Sequence, residues 1–184
     1  FNESILNFNQ AINIQPNFDL AHNNLGNVLK ETGKFEEAMI SYQQAIKLNP
    51  NYAEAYSNLG NIFRTLGKFE EAIASHQQAI KLNPNYAEAY SNLGNALGDL
   101  GKFEEAITNY QQALKLNPKY TFFDYNEALI RLTLGEFDVG WKKYEYRFGA
   151  TKVSFMRYQT DKLWDGNYLD GTLLVWAEQG VGDH

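Results

Sequence analysis

The sequence predicts an all-α fold, an α-solenoid of stacked helix–turn–helix units, on three observations. A 34-residue period runs through most of the 184 residues without a gap. Inside each period the apolar residues recur at steps of three and four, as Ala55, Leu59, Ile62, Phe63 and Leu66 do, which is the spacing of one helix face. Each period is also punctuated twice, by Gly-Lys in its middle and Asn-Pro near its end.

The repeat is close to a copy. Ala53–Tyr86 and Ala87–Tyr120 differ at nine of 34 positions, and Asp19–Tyr52 falls in the same frame. All three contain Asn-Leu-Gly (24–26, 58–60, 92–94), Gly-Lys-Phe-Glu-Glu-Ala (33–38, 67–72, 101–106) and Leu-Asn-Pro (48–50, 82–84, 116–118). Gly67-Lys68 ends a first helix, because glycine tolerates the left-handed conformation found there. Phe69, Ala72, Ile73, His76, Ala79 and Ile80 form a second apolar stripe. Asn83-Pro84 stops that second helix, since proline disfavours helical geometry before itself. Each unit therefore reads as two helices of roughly 14 residues. Gly26, Gly60 and Gly94, with Ala38, Ala72 and Ala106, stand where paired helices approach. A larger side chain there would overpack the contact. Phe69 and the Tyr42/His76/Tyr110 position are expected to fill the gaps between successive pairs. One pair cannot bury its own apolar face, but stacked pairs can.

In order along the chain, residues 1–18 read as the second helix of a unit whose first helix is missing. Ser4, Phe8, Ala11 and Pro16 match Ala38, Tyr42, Ala45 and Pro50, and the start, without Met, reads as a cut end. Full repeats follow at 19–52, 53–86 and 87–120. Residues 121–148 form a degenerate repeat: Gly135, Phe137 and Tyr144 keep the frame, Glu127-Ala128 replaces Leu-Gly, and Gly140 replaces the small alanine. An atypical last repeat is the expected cap of such an array. Residues 149–184 read as a linker and the start of a truncated α/β domain, with Leu173–Ala177 apolar and β-branched enough for a buried strand.

Composition narrows the chemistry. The chain has no cysteine, hence no disulfide framework, thiolate zinc site or cysteine nucleophile. Its net charge is −6 and its pI about 5.1. An acidic chain without a basic stripe is not built to neutralise phosphates, so nucleic acid is excluded as partner. No apolar run reaches the roughly 18 residues of a membrane span. The N-terminus is no signal peptide, and a cytoplasmic location is expected. No His, Asp and Glu cluster has metal-ligand spacing, no Ser-His-Asp set can be assembled, and no cofactor is called for. His22 and His76, at positions otherwise held by tyrosine, read as core residues. Glu36-Glu37 and its copies sit in first turns and Lys47, Lys81 and Lys115 in last turns, where the helix macrodipole favours them.

The pattern of aromatic or His at 22/56/90, Leu 25/59/93, Gly 26/60/94, Ala 38/72/106, Ala 45/79/113 and Pro 50/84/118 resembles the tetratricopeptide repeat over residues 1 to about 148. The resemblance implies a right-handed solenoid whose concave wall is lined by the first helix of each pair. On that helix Asn24, Asn58, Asn92 and Asn126 recur every 34 residues, with Asn27, Asn61 and Asn95 three residues on, on the same face. An amide carries two donors and two acceptor lone pairs. A column of amides suits the backbone of an extended peptide or partner protein; bridging between repeats is the other use such a column has. The asparagine before the leucine also lines the peptide groove of the protein O-GlcNAc transferases, which this array resembles. A carboxylate clamp of the chaperone-binding type would use Lys30 and Arg64, but the third repeat offers Gly98 and Asp99 instead.

The strings Gly140–Phe148, Leu163-Trp-Asp-Gly166 and Leu173–Asp183 resemble the junction at which bacterial tetratricopeptide proteins run into a two-lobed GT-B glycosyltransferase domain. Gly182-Asp183 is similar to the Gly-Asp of heptosyltransferases, which implies Asp183 as the base in an intact parent enzyme. Alone, these 184 residues are expected to have no transferase activity, because nothing here sets the pKa of Asp183 or aims it. The two readings are a protein-interaction module and the acceptor-recognition arm of a glycosyltransferase. Self-association through Leu173–Ala177 or between repeats is a further expectation.

Overall fold

The computed structural model describes residues 1–119 and 122–144. Those residues are all α-helix and tight turn: α1 Asn2–Ile14, α2 Asp19–Glu31, α3 Phe35–Leu48, α4 Ala53–Thr65, α5 Phe69–Leu82, α6 Ala87–Asp99, α7 Phe103–Leu116, α8 Phe122–Thr133 and α9 Phe137–Tyr144. The expected strand Leu173–Ala177 and the turn bearing Asp183 lie outside the described residues.

The turn inside each pair is built by glycine. Gly33, Gly67, Gly101 and Gly135 have φ between 72° and 78°, the left-handed region that glycine enters without a steric penalty. The next residue then bonds back into the helix: Lys34 N–H donates to the Leu29 carbonyl at 2.9 Å and Gly33 N–H to Lys30 at 3.0 Å. The same two bonds recur at Lys68/Gly67, Lys102/Gly101 and Glu136/Gly135. This is a Schellman termination, which pairs carbonyls that the helix end would leave open. The second helices end on Asn49, Asn83 and Asn117, with φ near −135°, and the following proline prevents continuation.

Packing follows the small residues. A Cβ at Gly26 would lie 2.6 Å from the Tyr42 ring, at Gly60 2.7 Å from His76 and at Gly94 2.7 Å from Tyr110. The Tyr42/His76/Tyr110 position thus presses on the glycine of its own repeat, a within-pair contact as well as the between-pair filling expected. Tyr42 does both: it shares one core with Leu25 and Leu29 of its own repeat and Leu59 and Ile62 of the next. Ala38, Ala72 and Ala106 are fully buried. In the last pair Gly140 lets α9 come close to α8, a Cβ there reaching 2.7 Å from Leu132.

Each first helix packs on the second helix of its pair and on that of the pair before it, and α2, α4, α6 and α8 also touch one another in succession. The first helices therefore form one continuous inner face. The last repeat departs from the others in its interior. Glu127, at the position held elsewhere by leucine, is 1% exposed. Arg131 Nε and Nη2 reach its Oε1 at 2.7 Å, Lys143 Nζ its Oε2 at 3.1 Å, and Gln111 donates to Oε1 at 3.2 Å. Lys143 also holds Asp124 Oδ1 at 2.6 Å. Burial alone would depress the Lys143 ammonium; its bond to Asp124 and the charge of Glu127 overcome that and raise it. A buried carboxylate is tolerated because two cations and an amide surround it.

Candidate functional site

The inner face is a run of amides, hydroxyls and charged groups on α2, α4, α6 and α8, and the structure shows how far they are already engaged with each other. Asn58 Nδ2 donates to Asn23 Oδ1 at 3.1 Å, and Asn23 Nδ2 donates to Glu54 Oε1 at 3.1 Å. Asn92 Nδ2 reaches Ser57 Oγ at 3.4 Å. Asn126 Nδ2 donates to Asn95 Oδ1 at 3.2 Å. Each bond crosses from one first helix to the next, so the amides stitch neighbouring repeats together.

The second row of asparagines faces the tyrosines. Tyr42 donates its hydroxyl proton to Asn27 Oδ1 and Tyr110 to Asn95 Oδ1, both at 2.8 Å. Burial, with Glu54 and Glu31 nearby, pushes the Tyr42 phenol well above its ordinary range. Tyr52 is pushed up to about 12 by burial and by Glu54 and Asp19, with a bond to Asn23 working the other way. The middle repeat lacks this arrangement. His76 replaces the tyrosine, is fully buried, and has no partner for either ring nitrogen among the described residues. Asn61 is left without a side-chain bond among the described residues. Desolvation, with Arg64 adding to it, drags the His76 imidazole down to about 4, so it is neutral at pH 7. His22 is only half-buried, and its Nε2 lies 3.1 Å from the Pro16 carbonyl.

Of the residues singled out in sequence, Asn58, Asn92 and Asn126 bridge repeats, and Asn27 and Asn95 hold tyrosines. Asn24 and Asn61 make no side-chain bond among the described residues. Lys30 is half-buried and unpaired there, whereas Arg64 is bound by Asp99, Nε to Oδ2 at 2.5 Å and Nη2 to Oδ1 at 3.4 Å. A guanidinium already gripped by a carboxylate is a poor anchor for a second one. Asn23 was missed. It is fully buried and is the hub of the α2–α4 seam. Its position holds Asn, Ser and Ser in the three repeats, a polar residue set between buried Ala and Leu, and that pattern was the available signal.

Among the described residues, no three His, Asp or Glu side chains converge on a metal site, and no helix is long and apolar enough to cross a membrane.

Family models agree with this architecture. One described as "TPR repeat" matches residues 1–33, 26–64 and 60–101, and one described as "Tetratricopeptide repeat" matches 87–120. The chain belongs to the tetratricopeptide-repeat family. No curated protein matches it. Among solved structures it is similar to the crystal structure of MamA, at 25% identity and TM-score 0.70, covering 79% of this chain and 85% of that one. A MamA fragment from Desulfovibrio magneticus RS-1 shares the fold at 17% identity and TM-score 0.72, covering 81% and 84% of the two chains. The first tetratricopeptide domain of Spaghetti (RPAP3), solved bound to the HSP90 peptide SRMEEVD, matches at 29% identity and TM-score 0.61, covering 64% of this chain and 93% of that one.

Proposed function

We propose that this tetratricopeptide array is a protein-interaction module that holds an extended peptide, or an extended segment of a partner protein, along its inner face. The observation that carries the reading is what remains open once the repeats are stitched together. Asn24, Asn58 and Asn92 are half-buried, spaced by one repeat, and their Oδ1 atoms accept no hydrogen bond among the described residues. A guest backbone presents N–H groups to such acceptors and carbonyls to the remaining amide hydrogens. The peptide-bound RPAP3 domain, similar over 64% of this chain, supports the reading by showing a like fold with a peptide attached.

The test uses an array of acetylated, amidated decapeptides of varied composition, with binding of the wild-type chain scored against Asn24→Ala, Asn58→Ala and Asn92→Ala. Each variant removes up to two hydrogen bonds worth about 0.5–1.5 kcal/mol each, so binding is expected to weaken about 2- to 150-fold per site. Asn24→Ala is the cleanest, because Asn24 makes no side-chain bond among the described residues. Unchanged binding by all three, with unchanged helicity, refutes the reading, as does an array that binds nothing.

The motifs of residues 140–183 favour a second reading of the same face, as the acceptor-recognition arm of a GT-B glycosyltransferase. Reading the gene beyond His184 tests it: two α/β lobes with a nucleotide-sugar site support it, and an unrelated continuation sinks it.

A further inference from the structure

At the junction of the third and fourth repeats the inner face opens into a pocket of about 260 Å³. That is just below the roughly 300–1,000 Å³ of drug-sized ligand sites, with room for a single large side chain. Its walls explain why it is there. Gly98, inside α6, stands where the preceding repeats carry Lys30 and Arg64. No side chain rises from α6 at this position, and a Cβ on Gly98 would meet Ile130, its nearest methyl at 3.1 Å. Ile130, Leu129 and Phe103 make the apolar wall. Leu129 is 42% exposed at the position that holds Asn27, Asn61 and Asn95 in the other repeats.

The changes between copies gather at this place. Repeats 53–86 and 87–120 differ at nine positions, of which four are consecutive, Ala96 to Asp99. Three of these replace a large residue by a smaller one: Ile62 by Ala96, Phe63 by Leu97 and Arg64 by Gly98. Gly98 and Asp99 both line the pocket, as does Tyr110, another of the nine. The rim is polar without net charge: Arg64 and Asp99 neutralise each other, and Asn95 and Asn126 are joined amide to amide.

We infer that this pocket is a receptor for one uncharged, apolar side chain, leucine- or phenylalanine-like, of the segment lying on the inner face. The inference rests on the peptide-binding reading and adds a specificity element to it. The apolar wall takes the side chain, and the amides of Asn95 and Asn126 border it where the guest backbone passes. A lysine or glutamate side chain entering the same space would lose its hydration and find its only charged neighbours already paired, which disfavours it.

The experiment needs no identified ligand. The probes are N-acetyl-L-leucinamide, N-acetyl-L-phenylalaninamide, N-acetyl-L-lysinamide and N-acetyl-L-glutamic acid α-amide. Each is titrated into the ¹⁵N-labelled full chain while the Gly98 backbone amide and the Asn95 and Asn126 side-chain amides are followed. The leucine and phenylalanine probes are expected to shift these signals, and the lysine and glutamate probes to bind at least tenfold more weakly. Gly98→Arg, which restores the residue of the preceding repeat, is expected to abolish the shifts. Leu129→Asn, a change at an exposed site that leaves the core alone, is expected to weaken them at least fivefold and decides the matter if Gly98→Arg misfolds. Equal binding of all four probes, no shift with any, or shifts unchanged in Leu129→Asn overturn the inference. So do pocket signals that move with protein concentration alone, which would assign the space to a second copy. Failure of the two readings is separable. Decapeptides that bind without preference while the probes do nothing remove the pocket only; probes that bind while no decapeptide does remove the extended-peptide reading.

Discussion

Replacing His76 by tyrosine should stabilise the fold, and the structure allows the size of the effect to be worked out. In the flanking repeats the equivalent Tyr42 and Tyr110 rings lie on Gly26 and Gly94 and donate to Asn27 and Asn95 at 2.8 Å. His76 lies on Gly60 with the same clearance, 2.7 Å against 2.6 Å for Tyr42, but both its nitrogens are buried without partners among the described residues. A buried unpaired polar group costs about 1–3 kcal/mol, and a new internal hydrogen bond contributes about 1 kcal/mol. Filling the site with a phenol that reaches Asn61 is therefore worth about 2–3 kcal/mol at pH 7, after some allowance for the bulkier ring. For a chain of this size that raises Tm by about 4–12 °C. Acid enlarges the gap. The unfolded chain protonates this imidazole near its ordinary 6.5 and the folded chain only near 4. The unfolded state thus holds more protons between those values, and wild-type stability falls as pH drops through that window. At about 1.4 kcal/mol per unit, the histidine loses roughly 2 kcal/mol more by pH 5, a slope that tyrosine lacks. Calorimetric or circular-dichroism melts of the two proteins at pH 7 and pH 5 make the comparison. A Tm for H76Y equal to or below wild type at pH 7, or a difference that does not widen at pH 5, would refute the reasoning.

Gly26→Val places a branched side chain where even a Cβ comes within 2.6 Å of the Tyr42 ring. It should lower stability by at least the 1–3 kcal/mol or so typical of overpacking, read as a fall in the urea midpoint. Glu127→Ala strips the shared buried carboxylate from Arg131 and Lys143, which keep Glu136 and Asp124 as partners. Losing charge-assisted hydrogen bonds of this kind costs about 1.5–3 kcal/mol, and the loss should appear as early melting of the α8–α9 pair in hydrogen exchange.

Much of the fold was legible because its determinants are local. Gly33, Gly67, Gly101 and Gly135 mark the turn inside each pair, and the left-handed backbone there needs no information from further along the chain. The prolines mark the other ends in the same way. Even the degenerate last repeat could be framed, since Gly135 and Gly140 keep the turn and the close approach. The site was legible only as a set of positions. Asn58 and Asn92 stood out by their spacing, but their bonds to Asn23 and Ser57 depend on how far each repeat is shifted and rotated against the next. Asn23 escaped notice for the same reason: being a hub requires neighbours from another repeat.

From the sequence alone came the helix pairs, their lengths, their family and the face on which the amides gather, because period and punctuation act within a dozen residues. Tertiary structure decided which of those amides are spent on stitching repeats together, that Arg64 is held by Asp99, that His76 is stranded, and that a pocket lies beside Gly98. Those outcomes turn on separations of a few tenths of an ångström between helices far apart in sequence, set by the packing of all the side chains at once.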